Sequence, residues 1–565
     1  MNLRSEEVLS VPENSMQRSL FKSMGFDDNS LSKPLIGIAN SWNTIVPGSY
    51  NLRSVAESVK EGIWQAGGTP LEFGTISACD GIAQGHDGMH YILPSREIIA
   101  NSVEIMVQAH RLDGIVLLGS CDKIVPGMLM AAARVDIPAI MVPGGPMDGG
   151  PCFDERKADI TALTEGLGML NAGKIDMEEY LELENTAGPT CGSCSFLGTA
   201  NTMCALAEAM GMTVPGAGTA LATSAKRQRL SRETGRAIVS LIENNITARD
   251  IITRESLENA VKTTIAIGGS TNAVLHLLGI AYEADIDFSI DIFDKYSYTI
   301  PYLAKIYPSG KEYNVPDFER AGGVQTLLHN LKEYIDSDTL TVTGKTIAEN
   351  LANYKPVASD LIRTPDNPHE GEGGVAILKG NIAPNTGVSK PSAIDPSMHK
   401  FTGKAKVFNS EEEANEAIIN NKISSGDVVV IKYEGPKGGP GMREMYKPLK
   451  LLYGEGLALE TALVTDGRFS GTNNGCFVGH ISPEAYEGGP IAIIEDGDKI
   501  SIDINERDIH LHVSDEVIKE RLDKWEPPKP KIDKGYLATY SCLAESANKG
   551  AIIKSFNPNI GCSFN

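Results

Sequence analysis

Two cysteine–aspartate pairs stand at the ends of two apolar runs. PLEFGTISA (70–78) is followed by Cys79-Asp80, and GIVLLGS (114–120) by Cys121-Asp122-Lys123. A thiolate is a soft ligand that suits iron or zinc, whereas a carboxylate is a hard ligand that suits Mg²⁺. Alternating the two sorts two metals into neighbouring positions. A third element is 188-GPTCGSCSFLGTANTM-203, in which Cys191 and Cys194 form a C-x-x-C. That spacing fits a redox pair, half of a zinc site or part of an iron–sulfur site. A second C-x-x-C is absent from the sequence, which disfavours a four-cysteine zinc ribbon. Three thiolates from separate loops, Cys79, Cys121 and Cys194, would leave one iron of a cluster without a protein ligand. Such an iron is a Lewis acid able to hold a substrate hydroxyl. Asp80 and Asp122 are then oxygen donors for Mg²⁺. Lys123 suits this company only if it is neutral, or carbamylated into an oxygen ligand.

Two further segments carry reactive side chains. In 434-EGPKGGPGMREM-445, four glycines and two prolines fix a close-approach loop. Glu444 offers another oxygen to Mg²⁺, and Arg443 offers a fork for a substrate carboxylate. In 464-VTDGRFSGTNNGCFVGH-480, Ser470 follows an apolar run, but the spacing is not the hydrolase elbow G-x-S-x-G. His86, in GIAQGHDGM (81–89), reads as a loop residue; that stretch is not a phosphate loop. Cys152, Cys204, Cys476, Cys542 and Cys562 have no supporting context and read as structural.

The elements that must position these groups alternate. KPLIGIAN (33–40), PLEFGTISA, GIVLLGS and AIMVPGG (139–145) read as strands. Helical stripes lie between them: Val55, Val59 and Ile63, then SREIIANSVEIMVQAHR capped by Ser95, then PGMLMAAARV (126–135). Strands alternating with helices imply a largely parallel sheet, in which ligands bind beyond the carboxyl ends of strands. The middle is helix-rich: 199–211, 225–262 and 268–284. A Pro/Gly-laden stretch over 363–395 marks the main boundary, giving an α/β domain over 1–362 and a smaller β-rich domain over 363–565. In the latter, DVVVIKYEG, ALETALVTDG, GGPIAIIEDGDKISIDI and DIHLHV read as strands, with Asp496-Gly497 as a hairpin-type turn.

The totals exclude several classes. A net charge of −22 over 565 residues, without a long basic run, makes nucleic acid and anionic membranes poor partners. No apolar run approaches the roughly 18 residues of a membrane span. The N-terminus lacks the apolar core of a signal peptide, which favours the cytoplasm. Nine cysteines in a long chain of this kind do not read as a disulfide framework.

Taken together, CDGIAQGHDGM, GSCDKIVPGM, PTCGSCSFLGTANTM, GGSTNAVLHL, GPKGGPGMREM and TDGRFSG resemble, in order, signatures of the dihydroxy-acid dehydratase / phosphogluconate dehydratase family. The likeness spans about residues 34 to 490. It implies an α/β N-terminal region and a β-rich domain similar to the mobile domain of aconitase. It also implies cluster ligation by Cys121 and Cys194, and Mg²⁺ ligation by Asp80, Asp122, Glu444 and a carbamylated Lys123. Ser470 matches the family's base, and family members are homodimers or dimers of dimers. GGPGMREM and FSGTNNGCFVGHISPEAYEGG look like the branch of valine and isoleucine synthesis. That branch dehydrates 2,3-dihydroxy-3-methylbutanoate and 2,3-dihydroxy-3-methylpentanoate to 2-oxo acids. The sugar-acid branch, acting on aldonates or 6-phosphogluconate, is the alternative within the family. Outside it stand a thiol–disulfide oxidoreductase resting on Cys191 and Cys194, and a non-catalytic metal-binding protein.

One position departs from the pattern. Many relatives with a 2Fe–2S cluster carry cysteine at the end of the segment that reads here 40-NSWNTIVPG-48, where Gly48 stands instead. Cys79 is the candidate third thiolate, which leaves 2Fe–2S and 4Fe–4S both open.

Overall fold

The computed structural model describes residues 3–171, 173–470 and 475–554. Cys562 and the stretch 471–474 of the Ser470 segment lie outside them.

The first sheet is built from β1 (Leu35–Asn40), β2 (Thr69–Gly74), β3 (Gly114–Gly119) and β4 (Ala139–Pro143). Its order is β2-β1-β3-β4 and every pairing is parallel. β1, β3 and β4 are buried throughout, as strands covered by helices on both faces must be. That is why they read as unbroken apolar runs. The helices Leu52–Ala66, Ile92–Ala109 and Ile124–Val135 make the crossovers, and Gly67 in the left-handed region ends the first. The expected single helical region 225–262 is divided into Ala225–Asn244, Ala248–Ile251 and Arg254–Ala266. Asn245, left-handed at φ 54°, stops the first, and side chains of Thr247 and Thr253 cap the next two.

The second sheet has eight strands: β5 (Ala376–Leu378), β6 (Thr386–Ser389), β7 (Lys400–Phe408), β8 (Asp427–Ile431), β9 (Ala462–Thr465), β10 (Cys476–Ser482), β11 (Lys499–Asp503) and β12 (Asp508–Leu511). Their order is β12-β11-β7-β8-β9-β10-β6-β5. The central four, β7 to β10, are parallel, and both edges turn antiparallel. Asp496-Gly497 is a turn leading into β11, with Gly497 at φ 89°. The hairpin itself is made one connection later, between β11 and β12.

Each sheet has its own core, and the two are sewn together. Val375, Ile377, Val388 and Ile552 pack into the first core. Leu93, Leu275, Met442, Ala547 and Ala551 form a separate cluster across the seam. Arg96, fully buried, donates to the carbonyls of Gly550 and Ala551 at 2.9 and 3.2 Å. Among the described residues no helix is long and apolar enough to cross a membrane.

Candidate metal and acid–base site

Parallel strands deliver their carboxyl ends to one edge, and the reactive residues follow those ends. Asp80 follows β2, and Cys121 to Lys123 follow β3. The loop after β1 brings Gly48 against Cys121: a Cβ built on Gly48 would lie 2.4 Å from the Cys121 sulfur. Position 48 therefore faces the thiols, and only glycine fits beside Cys121 as it stands. Gly48→Ala should displace that sulfur, costing about 1–3 kcal/mol by overpacking. The denaturant midpoint should fall with it; an unchanged midpoint would refute this account.

The C-x-x-C is shaped by its contact with the end of β4. Ser193 N–H donates to the Gly145 carbonyl at 3.0 Å, and Met147 N–H donates to the Ser193 carbonyl at 2.8 Å. Gly192, at φ 140°, lies so close that a Cβ would fall 2.3 Å from Met147 N. Both thiols are free and half-exposed, and the turn sets Cys194, not Cys191, in the lining of the site's cavity. Burial pushes the Cys121 and Cys194 thiols well above the ordinary range, and Cys79 and Asp122 each raise both further. Burial likewise raises Cys79, against the steadying amide of Ile82. Cys79 thus raises both Cys121 and Cys194.

The second sheet supplies the other half. β8 and β9 are parallel neighbours, and the loops that follow them run side by side. Arg468 N–H donates to the Arg443 carbonyl at 3.0 Å, and Met445 N–H donates to the Arg468 carbonyl at 2.8 Å. Asp466 pins the root of the longer loop, accepting from the amides of Tyr433 and Glu434 at 3.1 and 2.9 Å. Glu444 and Ser470 are delivered together, with Ser470 Oγ donating to Glu444 Oε1.

Asp80, Asp122 and Glu444 converge, offering oxygens all within 4.8 Å of one another. Lys123 is buried among them: its Nζ donates to Asp80 Oδ2 at 2.8 Å and lies 3.7 Å from Asp122 Oδ2. Burial first, then the neighbouring Asp80 charge, pushes Asp122 up to about 7. Asp80 Oδ1 is buried without a hydrogen-bond partner. Hard oxygens crowded on one side and thiols on the other fit a centre that cations complete.

Two assignments change. Arg443 does not fork into the site: it pairs with Glu411 and Glu412 at 2.8 and 2.7 Å. Successive residues of an extended loop point opposite ways, so Glu444 turning inward sends Arg443 outward. Arg468, not singled out from the sequence, is a second buried cation of the site beside Lys123. It donates to Glu444 Oε2, approaches Asp80 Oδ2 at 3.4 Å and is anchored by Nε on the Met442 carbonyl at 2.7 Å. His86 is exposed and caps Gly88 N–H from its own loop.

Asp80, Asp122, Cys194, Glu444 and Ser470 all line one cavity of about 330 Å³. Ile160, Leu163 and Phe196 form its apolar wall, and among the described residues no lysine or arginine lines it. A larger open groove of about 620 Å³ lies on the seam near Leu278 and Lys379, and none of these reactive groups lines it.

The dihydroxy-acid/6-phosphogluconate dehydratase N-terminal profile matches residues 33–350, and its C-terminal counterpart matches 360–551. The chain belongs to this family. Its relatives in the dehydratase family include proteins named dihydroxy-acid dehydratase from Caldanaerobacter subterraneus subsp. tengcongensis and Pyrococcus furiosus. Each is 52% identical over 98% of this chain, covering 99% and 100% of the relative respectively. One from Methanosarcina barkeri is 48% identical over 98% of this chain and 100% of its own length.

Proposed function

We propose that this chain is a dihydroxy-acid dehydratase, a hydro-lyase converting 2,3-dihydroxy-3-methylbutanoate and its methylpentanoate homologue to 2-oxo acids and water. The observation that carries this reading is the single cavity that joins hard oxygens, a thiol, a serine and an apolar wall. Lys123 and Arg468 are already engaged by Asp80, Asp122 and Glu444, so a carboxylate substrate finds no free cation among them. Divalent cations bound there make it welcome. Ile160, Leu163 and Phe196 suit a branched alkyl end.

Asp80, Asp122, Glu444 and Lys123, the last as a carbamate, would hold Mg²⁺; Cys121, Cys194 and Cys79 would hold the iron–sulfur cluster. Cys79 is favoured as third thiolate because it precedes Asp80 and its sulfur lies beside Gly81, both of which line the cavity, while position 48 has no thiol to offer. When bound, these groups supply Lewis acidity: Mg²⁺ acidifies the C2 proton, and an open iron makes the C3 hydroxyl a leaving group. The chain's own part is positioning and proton transfer. Ser470 Oγ would hand its hydrogen to Glu444 Oε1 and, as the alkoxide, take the C2 proton in the cavity it lines; the proton held at Glu444 would leave with the C3 hydroxyl as water. Loss of the C3 hydroxyl leaves an enol, which tautomerises to the 2-oxo acid. The apolar wall keeps bulk water from the reacting carbons.

The domain boundary at 362/363, the cytoplasmic location and the homodimer or dimer of dimers belong to the same proposal. The decisive experiment is anaerobic turnover of 2,3-dihydroxy-3-methylbutanoate against gluconate and 6-phosphogluconate, with iron quantified. Preference for the branched acid is expected; preference for either sugar acid would overturn the substrate assignment.

Metal binding carries a pH signature. In the cation-free protein Asp122 titrates at about 7, so a proton occupies a needed ligand below that pH. Lowering the pH therefore opposes Mg²⁺ binding: apparent affinity should fall up to about tenfold per unit below 7 and level off above it. Calorimetric titration between about pH 5.5 and 8.5 checks this; affinity flat across that range would exclude Asp122 as a ligand.

A further inference from the structure

The helix Asn272–Glu283 begins in the GGSTNAVLHL segment, and its first two side-chain contacts cross the domain seam. Thr271 Oγ1 donates to the carbonyl of Phe469, fixing the backbone immediately before Ser470. Asn272 is fully buried. Its Nδ2 lies 2.9 Å from Thr199 Oγ1, 3.3 Å from Glu444 Oε2 and 3.4 Å from Ser470 Oγ. Its Oδ1 accepts from Arg468 at 3.4 Å. This set fixes which way the amide faces. Turned over, its oxygen would meet the Glu444 carboxylate and its NH₂ would meet a guanidinium, which neither end tolerates.

An amide NH₂ has two hydrogens, and here it has three acceptors. The shortest contact, to Thr199, takes one hydrogen. The second is divided between Glu444 and Ser470, the two groups that the β8 and β9 loops bring into the cavity. We propose that Asn272 is a positioning residue for the dehydration: its second N–H holds Ser470 Oγ and Glu444 in register with the first domain. As Glu444 engages a cation, that N–H becomes free to serve Ser470 Oγ alone. The serine oxygen is then held by a donor from the rigid start of a helix rather than by its own loop. The role needs a donor at Nδ2, not merely a side chain of that shape. It rests on the assignment of Ser470 and the acidic trio made above.

Shape and donor are separable by substitution. Asn272→Asp keeps the outline but sets a second carboxylate against Glu444. Asn272→Ala removes both donor and outline. The test uses anaerobically purified, cluster-loaded enzyme, 2,3-dihydroxy-3-methylbutanoate as substrate, and calorimetric Mg²⁺ titration after chelation. Asn272→Ala should lower kcat about 10²-fold, as loss of one preorganised donor does. KM and iron content should stay within about twofold of wild type, and Mg²⁺ affinity should fall no more than about tenfold, the low end for losing a hydrogen bond to a metal ligand. Asn272→Asp should turn over more slowly still. A purely packing role predicts the reverse order, with aspartate milder than alanine, and that order would overturn the proposal. So would loss of Mg²⁺ affinity in step with kcat, or an Asn272→Ala enzyme of wild-type kcat. Wild-type enzyme without any turnover would sink this inference together with the functional reading, whereas an active wild type with an indifferent Asn272→Ala sinks this inference alone.

Discussion

Ser470→Ala is expected to lower kcat on 2,3-dihydroxy-3-methylbutanoate by about 10²–10⁴-fold, the range for losing a positioned proton-transfer group. KM and iron content should change little, because the serine is one small member of a cavity wall built mostly by other residues. A serine hydroxyl is ordinarily a very weak base, so the size of the effect depends on its surroundings. Here those surroundings are specific. Its own hydrogen is directed to Glu444, the Asn272 amide approaches its oxygen at 3.4 Å, and Arg468 stands two residues away, fully buried. Donors and positive charge on that side favour a proton leaving the oxygen over one staying. Steady-state kinetics with iron and magnesium quantified in the same preparation checks this. Turnover near wild type with both metals present would remove Ser470 from the reaction.

What could be read beforehand follows a physical line. Cys121-Asp122 was legible because it closes a buried parallel strand; Cys79-Asp80 follows a strand that is a half-exposed edge and ends at Gly74, short of the run to residue 78 read from the sequence. β10, by contrast, was hidden inside a segment read for its serine, since Cys476–Ser482 carries glycine and histidine rather than a β-branched run. Arg443 and Arg468 show the sharper limit. Both sit in glycine-bearing loops, one beside Glu444 and the other two residues from Ser470. Which guanidinium enters the site is decided by the pairing of the two loops, Glu444 beside Arg468. That pairing is a contact between strands far apart in sequence and leaves no local trace. Asn272 lies within the GGSTNAVLHL segment but carries no signal of its own, because an asparagine at a helix start is ordinarily a cap. Only the arrival of three acceptors from elsewhere gives it a task.

Arg468→Met should destabilise the cation-free protein by about 3–5 kcal/mol, the cost of leaving buried charges uncompensated. The guanidinium is fully buried and touches Glu444 and Asp80, which come from different domains. Methionine conserves much of the volume, so the loss is electrostatic rather than a cavity. The informative quantity is how this loss depends on magnesium. Without cations, the cluster of Asp80, Asp122 and Glu444 is opposed by Lys123 and Arg468. Bound Mg²⁺ adds two positive charges among the same oxygens and takes over much of the guanidinium's work. The deficit of the variant should therefore be largest in chelator and shrink in saturating Mg²⁺, read as denaturant midpoints under both conditions. A deficit of equal size with and without Mg²⁺ would mean that Arg468 acts through its Met442 contact and packing alone. Then the acids would not form one electrostatic unit with it, and the metal assignment of Glu444 would lose its main physical support.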